Sequence, residues 1–184
     1  MKSVLISIQP KWCELIASGK KTVEVRKTKP KLETPFKCYI YCTKDNAFAE
    51  KTLRGFTEDG KAIYYKANKG KVIGEFVCVT IFDLNEAALF AGMDEINNSV
   101  IEEYSCVDID ELLHYKGSIN MIYGWSISDL VIYDKPRELS DFRIVGCKGC
   151  RDKDTYHCKF HCIGKRRLKR PPQSWCYVES EDTK

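Results

Sequence analysis

No stretch of the 184 residues is both long and apolar enough to cross a membrane as a helix. The longest predominantly apolar run, Val72 to Phe82, has 11 residues and carries Glu75 inside it, whereas a spanning helix needs about 20 apolar residues. At the N-terminus the run Val4 to Ile8 gives way at once to Gln9, Pro10, Lys11 and Trp12. The longer apolar region and small-residue cleavage site of a secretory leader are lacking, so a cytoplasmic protein with no membrane partner is expected. Internal repeats and low-complexity segments are absent as well, which excludes solenoid, fibrous and disordered classes. With 43% hydrophobic and 30% charged residues, the composition suits one compact domain plus at most a small appendage. What the chain has in quantity is cysteine, ten in all. In a reducing compartment these are not disulfide staples, and a cluster of them points to metal.

The net charge of +4 conceals a sorting of charge along the chain. Residues 1–44 hold 10 Lys/Arg against 3 Asp/Glu, and residues 45–142 hold 9 against 18. Residues 143–170 return to 10 against 2, and residues 171–184 hold 1 against 3. Two basic segments flanking an acidic middle can fold into one positive face of the kind that attracts phosphate backbones, or pair with the acidic charges between them.

Leu5 to Ile8 reads as an opening strand. Pro10 at a first helical position, then Trp12, Leu15 and Ile16 at helical spacing and Gly19 as terminator, predict a helix of about two turns. Thr22 to Arg26 alternates with period two, and Cys38 to Cys42 is the next strand, with a Pro- and Lys-rich loop from Lys27 to Pro35 between them. A long β segment is expected over Lys71 to Phe82, and helices begin at the candidate N-caps Asn85 and Asp94. Asp108 to Tyr115, closed by Gly117, is a further short helix, and Met121 to Tyr123 and Ile127 to Tyr133 are strands. Short strands with helices inserted argue for an α+β fold, most economically a small β-barrel decorated with helices. Residues 1–142 form this domain, and residues 143–184 are a basic Cys/His-rich extension whose tail packs back on the barrel.

Gly19, Lys20, Lys21, Thr22, Val23, Glu24, Val25 and Arg26 fit the pattern G-x-K-x-x-E-x-R. In a period-two strand Glu24 and Arg26 share one face and the two valines take the other, the core side. Lys21 beside them gives a cation, an anion and a bidentate donor, a set suited to a phosphate, a carboxylate or the hydrogen-bonding edge of a base. A desolvated Lys21 could also serve as a general base. The bland reading of the same residues is a surface ion pair on an edge strand.

With its preceding strand and helix and the later Gly124-Trp125-Ser126-Ile127-Ser128, this segment resembles the signature of the ASCH domain, a branch of the PUA-like β-barrel superfamily. The ending from Arg170 through Pro171, Pro172, Gln173, Ser174 and Trp175 to Tyr177 resembles that of phage-associated members. The resemblance implies a barrel whose cleft faces RNA, a nucleotide or a modified nucleoside. Small bacterial amidohydrolases of N4-acetylcytidine look similar and use a lysine, a threonine and a downstream glutamate. Lys21 matches that lysine, Glu75 is the candidate for that glutamate, and the threonine position is held by Glu24, which supplies no hydroxyl. Other members of the family are ribonucleases, and Lys21, Glu24, Arg26 and Glu75 are the residues that would populate acid, base and electrostatic roles.

Cys147 and Cys150, then Cys158 and Cys162, give four thiols in 16 residues, enough to surround one structural Zn²⁺. His157 and His161 are alternative ligands, as is Cys176 if the tail folds back. Such a site would hold the segment from Gly146 to Arg170 in place of an apolar core. Lys165, Arg166, Arg167, Lys169 and Arg170 follow the cysteines directly and form a candidate phosphate clamp. Trp12 and Trp125 sit among periodic apolar residues and read as packing with Trp12 also near the motif, whereas Trp175 with Gln173 is the candidate stacking platform for a base. The sequence therefore supports an RNA- or nucleotide-binding module, with a ribonuclease or nucleoside hydrolase as the enzymatic alternative. A third reading is a phage protein-interaction adaptor whose contact surface is the acidic stretch Asp94 to Glu111.

Overall fold

The computed structural model describes residues 2–44, 52–56, 62–66, 70–85, 101–145 and 167–180. Its elements in chain order are β1 (Ser3–Ile8), α1 (Pro10–Ala17), β2 (Val23–Arg26), β3 (Phe36–Cys42), β4 (Thr52–Phe56) and β5 (Ala62–Lys66). They continue with β6 (Lys71–Cys78), β7 (Ile81–Asn85), α2 (Ile109–Lys116), β8 (Met121–Ser126), β9 (Ser128–Arg137), β10 (Phe142–Ile144) and β11 (Trp175–Ser180). The fold is α+β and dominated by strands. A six-stranded sheet runs in the order β10-β11-β1-β3-β6-β9, a three-stranded sheet in the order β2-β8-β7, and β4 and β5 form a separate hairpin.

The mostly apolar character of β1, with Ser7 inside it, accords with burial on both faces. Val4, Ile6 and Ile8 join Cys38 and Ile40 of β3, Phe76 and Cys78 of β6 and Trp125 of β8 in the main core between the sheets. Leu5, on the other face, belongs to a second core with Tyr39, Tyr41, Val72, Phe142, Leu168 and Val178. Trp125 is fully buried and meets Phe36 edge to face at 5.9 Å, as the sequence context of this tryptophan predicts. A third, smaller cluster joins Val25, Leu84 and Ile122 of the three-stranded sheet to Val107 and to Leu112 of α2.

The two sheets share strands that bend. β6 passes into β7 at Val79 and Thr80, β9 follows β8 after Ile127 alone, and the pairs β6–β9 and β7–β8 form one ribbon folded across both sheets. Ser126 holds the corner, its Oγ accepting from the backbone N–H of Val79 at 3.1 Å and of Thr80 at 2.9 Å. Among the described residues the ladders form two sheets joined at bent corners.

β11 pairs antiparallel with β1 and with β10, so the residues on either side of Phe142 build the same sheet. The four cysteines from Cys147 to Cys162, His157, His161, Lys165 and Arg166 lie outside the described residues, as do the helices expected from Asn85 and Asp94, apart from a helical stretch at 101–105. Among the described residues no helix is long and apolar enough to cross a membrane.

Candidate functional site

The motif does its work at the junction between α1 and β2. α1 closes with Gly19 in the left-handed region at φ +73°, where the N–H of Gly19 bonds Ile16 and those of Lys20 and Lys21 both bond the Leu15 carbonyl. The chain then turns Lys21 inward, where it is 2% exposed and its Nζ donates to the Ser105 carbonyl at 2.5 Å. Thr22 donates to the Tyr104 carbonyl at 2.9 Å, and Cys106 adopts φ +54°, so the 104–106 turn aims successive carbonyls at the motif.

Alternation along β2 places Glu24 opposite Trp125 in β8, on the side of the main core, and sends Val25 into the third cluster beneath α2. The sequence expectation put the valines on the core side. Val25 does enter a core cluster, but the opposite, polar face of β2 is buried as well, with Glu24 only 5% exposed. Its Oε1 lies 2.9 Å from the Arg26 guanidinium and its Oε2 lies 3.6 Å from Lys21 Nζ. Arg26 in turn donates to the Ser7 carbonyl at 2.7 Å. These are buried ion pairs, not surface ones, although β2 is the edge strand of its sheet. Two buried polar atoms of the group have no hydrogen-bond partner among the described residues, Glu24 Oε2 and Arg26 Nε. Burial lowers the pKa of Lys21 from its ordinary 10.5, a shift that the nearby Glu24 carboxylate only partly opposes.

Lys21, Glu24 and Arg26 line a cavity of about 210 Å³. Trp12 and Tyr115 supply aromatic walls, Val25, Val107 and Leu112 the apolar ones, and Gln9 and Glu111 the remaining polar rim. Lys11 lies 4.0 Å and Lys21 5.0 Å from the centre of the Trp12 ring, which is therefore flanked by two cations. α2 brings Tyr115 and Glu111 to the rim, and it starts where the sequence predicts, the Asp108 carboxylate accepting from Glu111 N–H at 2.7 Å. Tyr115, Gln9 and Val107 were not legible as site residues, because none belongs to the motif: Tyr115 comes from α2, Gln9 precedes α1 and Val107 lies in the segment before α2.

Other candidates lie elsewhere. Glu75 pairs in register with Tyr39 on the second-core face of the sheet, where Lys37 Nζ approaches it to 2.6 Å and the Tyr133 hydroxyl donates to it at 2.5 Å. It is not among the residues lining the cavity, because strand parity sends Phe76, not Glu75, toward the main core. Trp175 packs against Trp125 at 6.0 Å and Tyr177 at 5.3 Å, and its indole N–H donates to Thr28. Trp12, which the sequence read mainly as packing, is the tryptophan at the cleft. Gln173 is exposed on the segment before β11, and Cys176 packs against the second core. Among the described residues no three potential ligands gather at a metal site.

A strand-dominated α+β domain whose first helix delivers a Lys–Glu–Arg cluster into a cleft defines a class, and the model of that class, the ASCH domain, matches residues 6–133. The chain belongs to the ASCH domain family. Among solved structures it is similar to the ASCH protein of Zymomonas mobilis, with 17% identity, a TM-score of 0.58 and coverage of 96% of this chain and 87% of that one. Two single-substitution variants of the same bacterial protein, one Tyr→Phe and one Ser→Ala, align with TM-scores of 0.58 at 17% and 16% identity. They cover 97% and 96% of this chain and 91% and 88% of theirs. At this identity the likeness concerns the fold. No curated protein matches the chain.

Proposed function

We propose that this chain binds RNA or a nucleotide by admitting one base-sized polar group into the cleft between α1, β2 and α2. The observation that carries the reading is a pair of buried atoms without a hydrogen bond among the described residues, Glu24 Oε2, which has only the Lys21 ammonium 3.6 Å away, and Arg26 Nε, on side chains that line the cavity. A buried carboxylate oxygen without a donor is costly, and a ligand presenting an N–H beside an acceptor would satisfy both atoms at once. The edge of a nucleobase has that pattern, and Trp12 and Tyr115 offer ring faces to its π-surface. The volume, about 210 Å³, falls below the roughly 300–1,000 Å³ of sites for drug-sized ligands, which suits a single base more than an entire dinucleotide. Family membership supports the same class of ligand.

The test is fluorescence anisotropy with labelled single-stranded RNA, together with calorimetry using ribonucleoside monophosphates. Glu24→Gln and Arg26→Ala are expected to weaken binding about 10–100-fold, since each removes a charged hydrogen-bonding group from a buried site. Wild-type protein that binds neither probe, or folded variants that bind as wild type does, would overturn the reading.

The enzymatic alternative draws on one observation, the lowered pKa of Lys21 next to Glu24. A ribonuclease or nucleoside hydrolase working in this cleft would use those two residues without Glu75. Turnover of labelled RNA or of acylated nucleosides, lost in Lys21→Met, would establish it. The zinc set Cys147, Cys150, Cys158 and Cys162, with His157 and His161 as alternates, is proposed from spacing alone, and Lys165 to Arg170 as backbone contacts from charge.

A further inference from the structure

A second concavity opens on the other face of the main sheet, beyond the end of β3. Tyr41, Lys44, Gly70, Lys169, Arg170 and Pro171 surround a groove of about 520 Å³. Its cations, Lys44, Lys169 and Arg170, are exposed to solvent. Gly70 has φ +86°, and a Cβ placed there would come 2.7 Å from Lys44 Cε and 3.4 Å from the Tyr41 hydroxyl. The stem of Lys44 therefore lies across a backbone that only glycine leaves open. Lys169 and Arg170 follow Leu168, which is 4% exposed in the second core and whose N–H bonds the Phe142 carbonyl at 2.9 Å. The ion pairs of the described residues engage Lys11, Lys21, Arg26, Lys29, Lys37 and Lys71, and none involves Lys44, Lys169 or Arg170.

The groove is joined to the cleft through Ser7. This residue pairs in register with Tyr41, its carbonyl accepts from Arg26, its Oγ donates to the Pro172 carbonyl at 2.7 Å, and its N–H donates to Ser174 at 2.8 Å. The segment from Arg170 to Ser174 thus runs from the basic groove to the residue that braces Arg26. These five residues are four steps of chain and reach at most about 14 Å, a span that a short single strand can bridge.

We propose that Lys44, Lys169 and Arg170 hold the phosphodiester backbone of the same RNA strand whose base enters the cleft, so that the ligand is a polynucleotide and not a free nucleotide. This rests on the RNA-binding reading of the cleft and extends it. Each phosphate contact with a single strand contributes about 0.7 to the slope of log K against log salt. The triple variant Lys44→Ala, Lys169→Ala, Arg170→Ala should therefore flatten that slope by about 2 and weaken binding roughly a hundredfold at about 0.1 M salt.

The experiment measures anisotropy of a labelled RNA of about ten nucleotides over a salt series, and calorimetry of ribonucleoside monophosphates, for wild type, the triple variant and Glu24→Gln. The expected result is a triple variant with wild-type melting temperature and unchanged monophosphate binding but a flattened salt slope. A triple variant whose RNA affinity and slope equal those of wild type overturns the backbone groove while Glu24→Gln still tests the cleft. Equal losses for RNA and monophosphate also overturn it, because the groove would then not act separately. If wild type binds neither probe, the cleft reading itself fails and the groove falls with it.

Discussion

Glu24 has two cationic neighbours and one carboxylate to divide between them. Arg26 takes the closer contact at 2.9 Å, while Lys21 stands at 3.6 Å and gives its hydrogen bond to the Ser105 carbonyl instead. That division explains why burial prevails at Lys21 and lowers its pKa despite a carboxylate nearby. The sign of the pH dependence follows. Between the lowered folded value and the unfolded 10.5, the unfolded chain holds a proton that the folded chain has released, so stability contributed by this group rises with pH across that window. Urea titrations of wild type and Lys21→Met should diverge in favour of wild type as pH climbs toward 10.5, other titrations being common to both. A difference that stays flat over that range would mean that Lys21 ionises as it does in the unfolded chain. The three motif residues were legible because the G-x-K-x-x-E-x-R spacing is local. Glu75 was not, since one step of parity on β6 decides which face of the sheet it takes, and nothing within the sequence of that strand sets the parity.

Most elements with a local signal were read, although the β4–β5 hairpin was not, and a strand defined by a distant partner was missed. β1, α1, β2, β3 and α2 announce themselves by apolar pattern, by Pro10 and Gly19, and by Asp108 and Gly117. The segment 71–82 reads as one strand, yet the ribbon bends at Val79 and Thr80 because Ser126, far along the chain, fastens that corner. β11 was missed because its partner β1 lies at the other end of the sequence. The closest approach between neighbouring strands yields an element-scale prediction. A Cβ at Gly74 would fall 2.4 Å from the Val131 carbonyl oxygen across the β6–β9 pair, a backbone contact that cannot rotate away. Gly74→Ala should destabilise the fold by about 1–3 kcal/mol, measured by urea or thermal unfolding. Stability equal to wild type would show that the two strands separate at no cost. Asp108→Ala, which removes the side-chain acceptor at the start of α2, should cost about 1 kcal/mol and loosen the wall that carries Tyr115.

At the scale of the molecule, the C-terminal residues complete the main sheet instead of hanging from it. β11 inserts between β10 and β1, Val145 donates to the Tyr177 carbonyl at 3.0 Å, and Leu168 donates to Phe142 at 2.9 Å. Arg143 and Arg167 face each other as an antiparallel bridge, so the two ends of the cysteine-bearing stretch 146–166 are fastened side by side on the same sheet. A metal bound within that stretch would close a loop whose ends the fold already holds, and its removal should act locally. One zinc per chain is expected by elemental analysis of tag-free protein, carried by the thiols from Cys147 to Cys162. Chelation should then open the stretch to protease while the main thermal transition, set by the two cores that flank β1, moves little. Thiol mapping gives an independent readout. Burial pushes Cys78 and Cys176 up to about 11 and raises Cys13 and Cys38 well above their ordinary value, so these four should resist alkylation in the native protein with or without chelator. Chelator-dependent labelling confined to Cys147, Cys150, Cys158 and Cys162 would identify the ligands. Labelling of those four at equal rates with and without chelator, in protein that carries no zinc, would overturn the metal site.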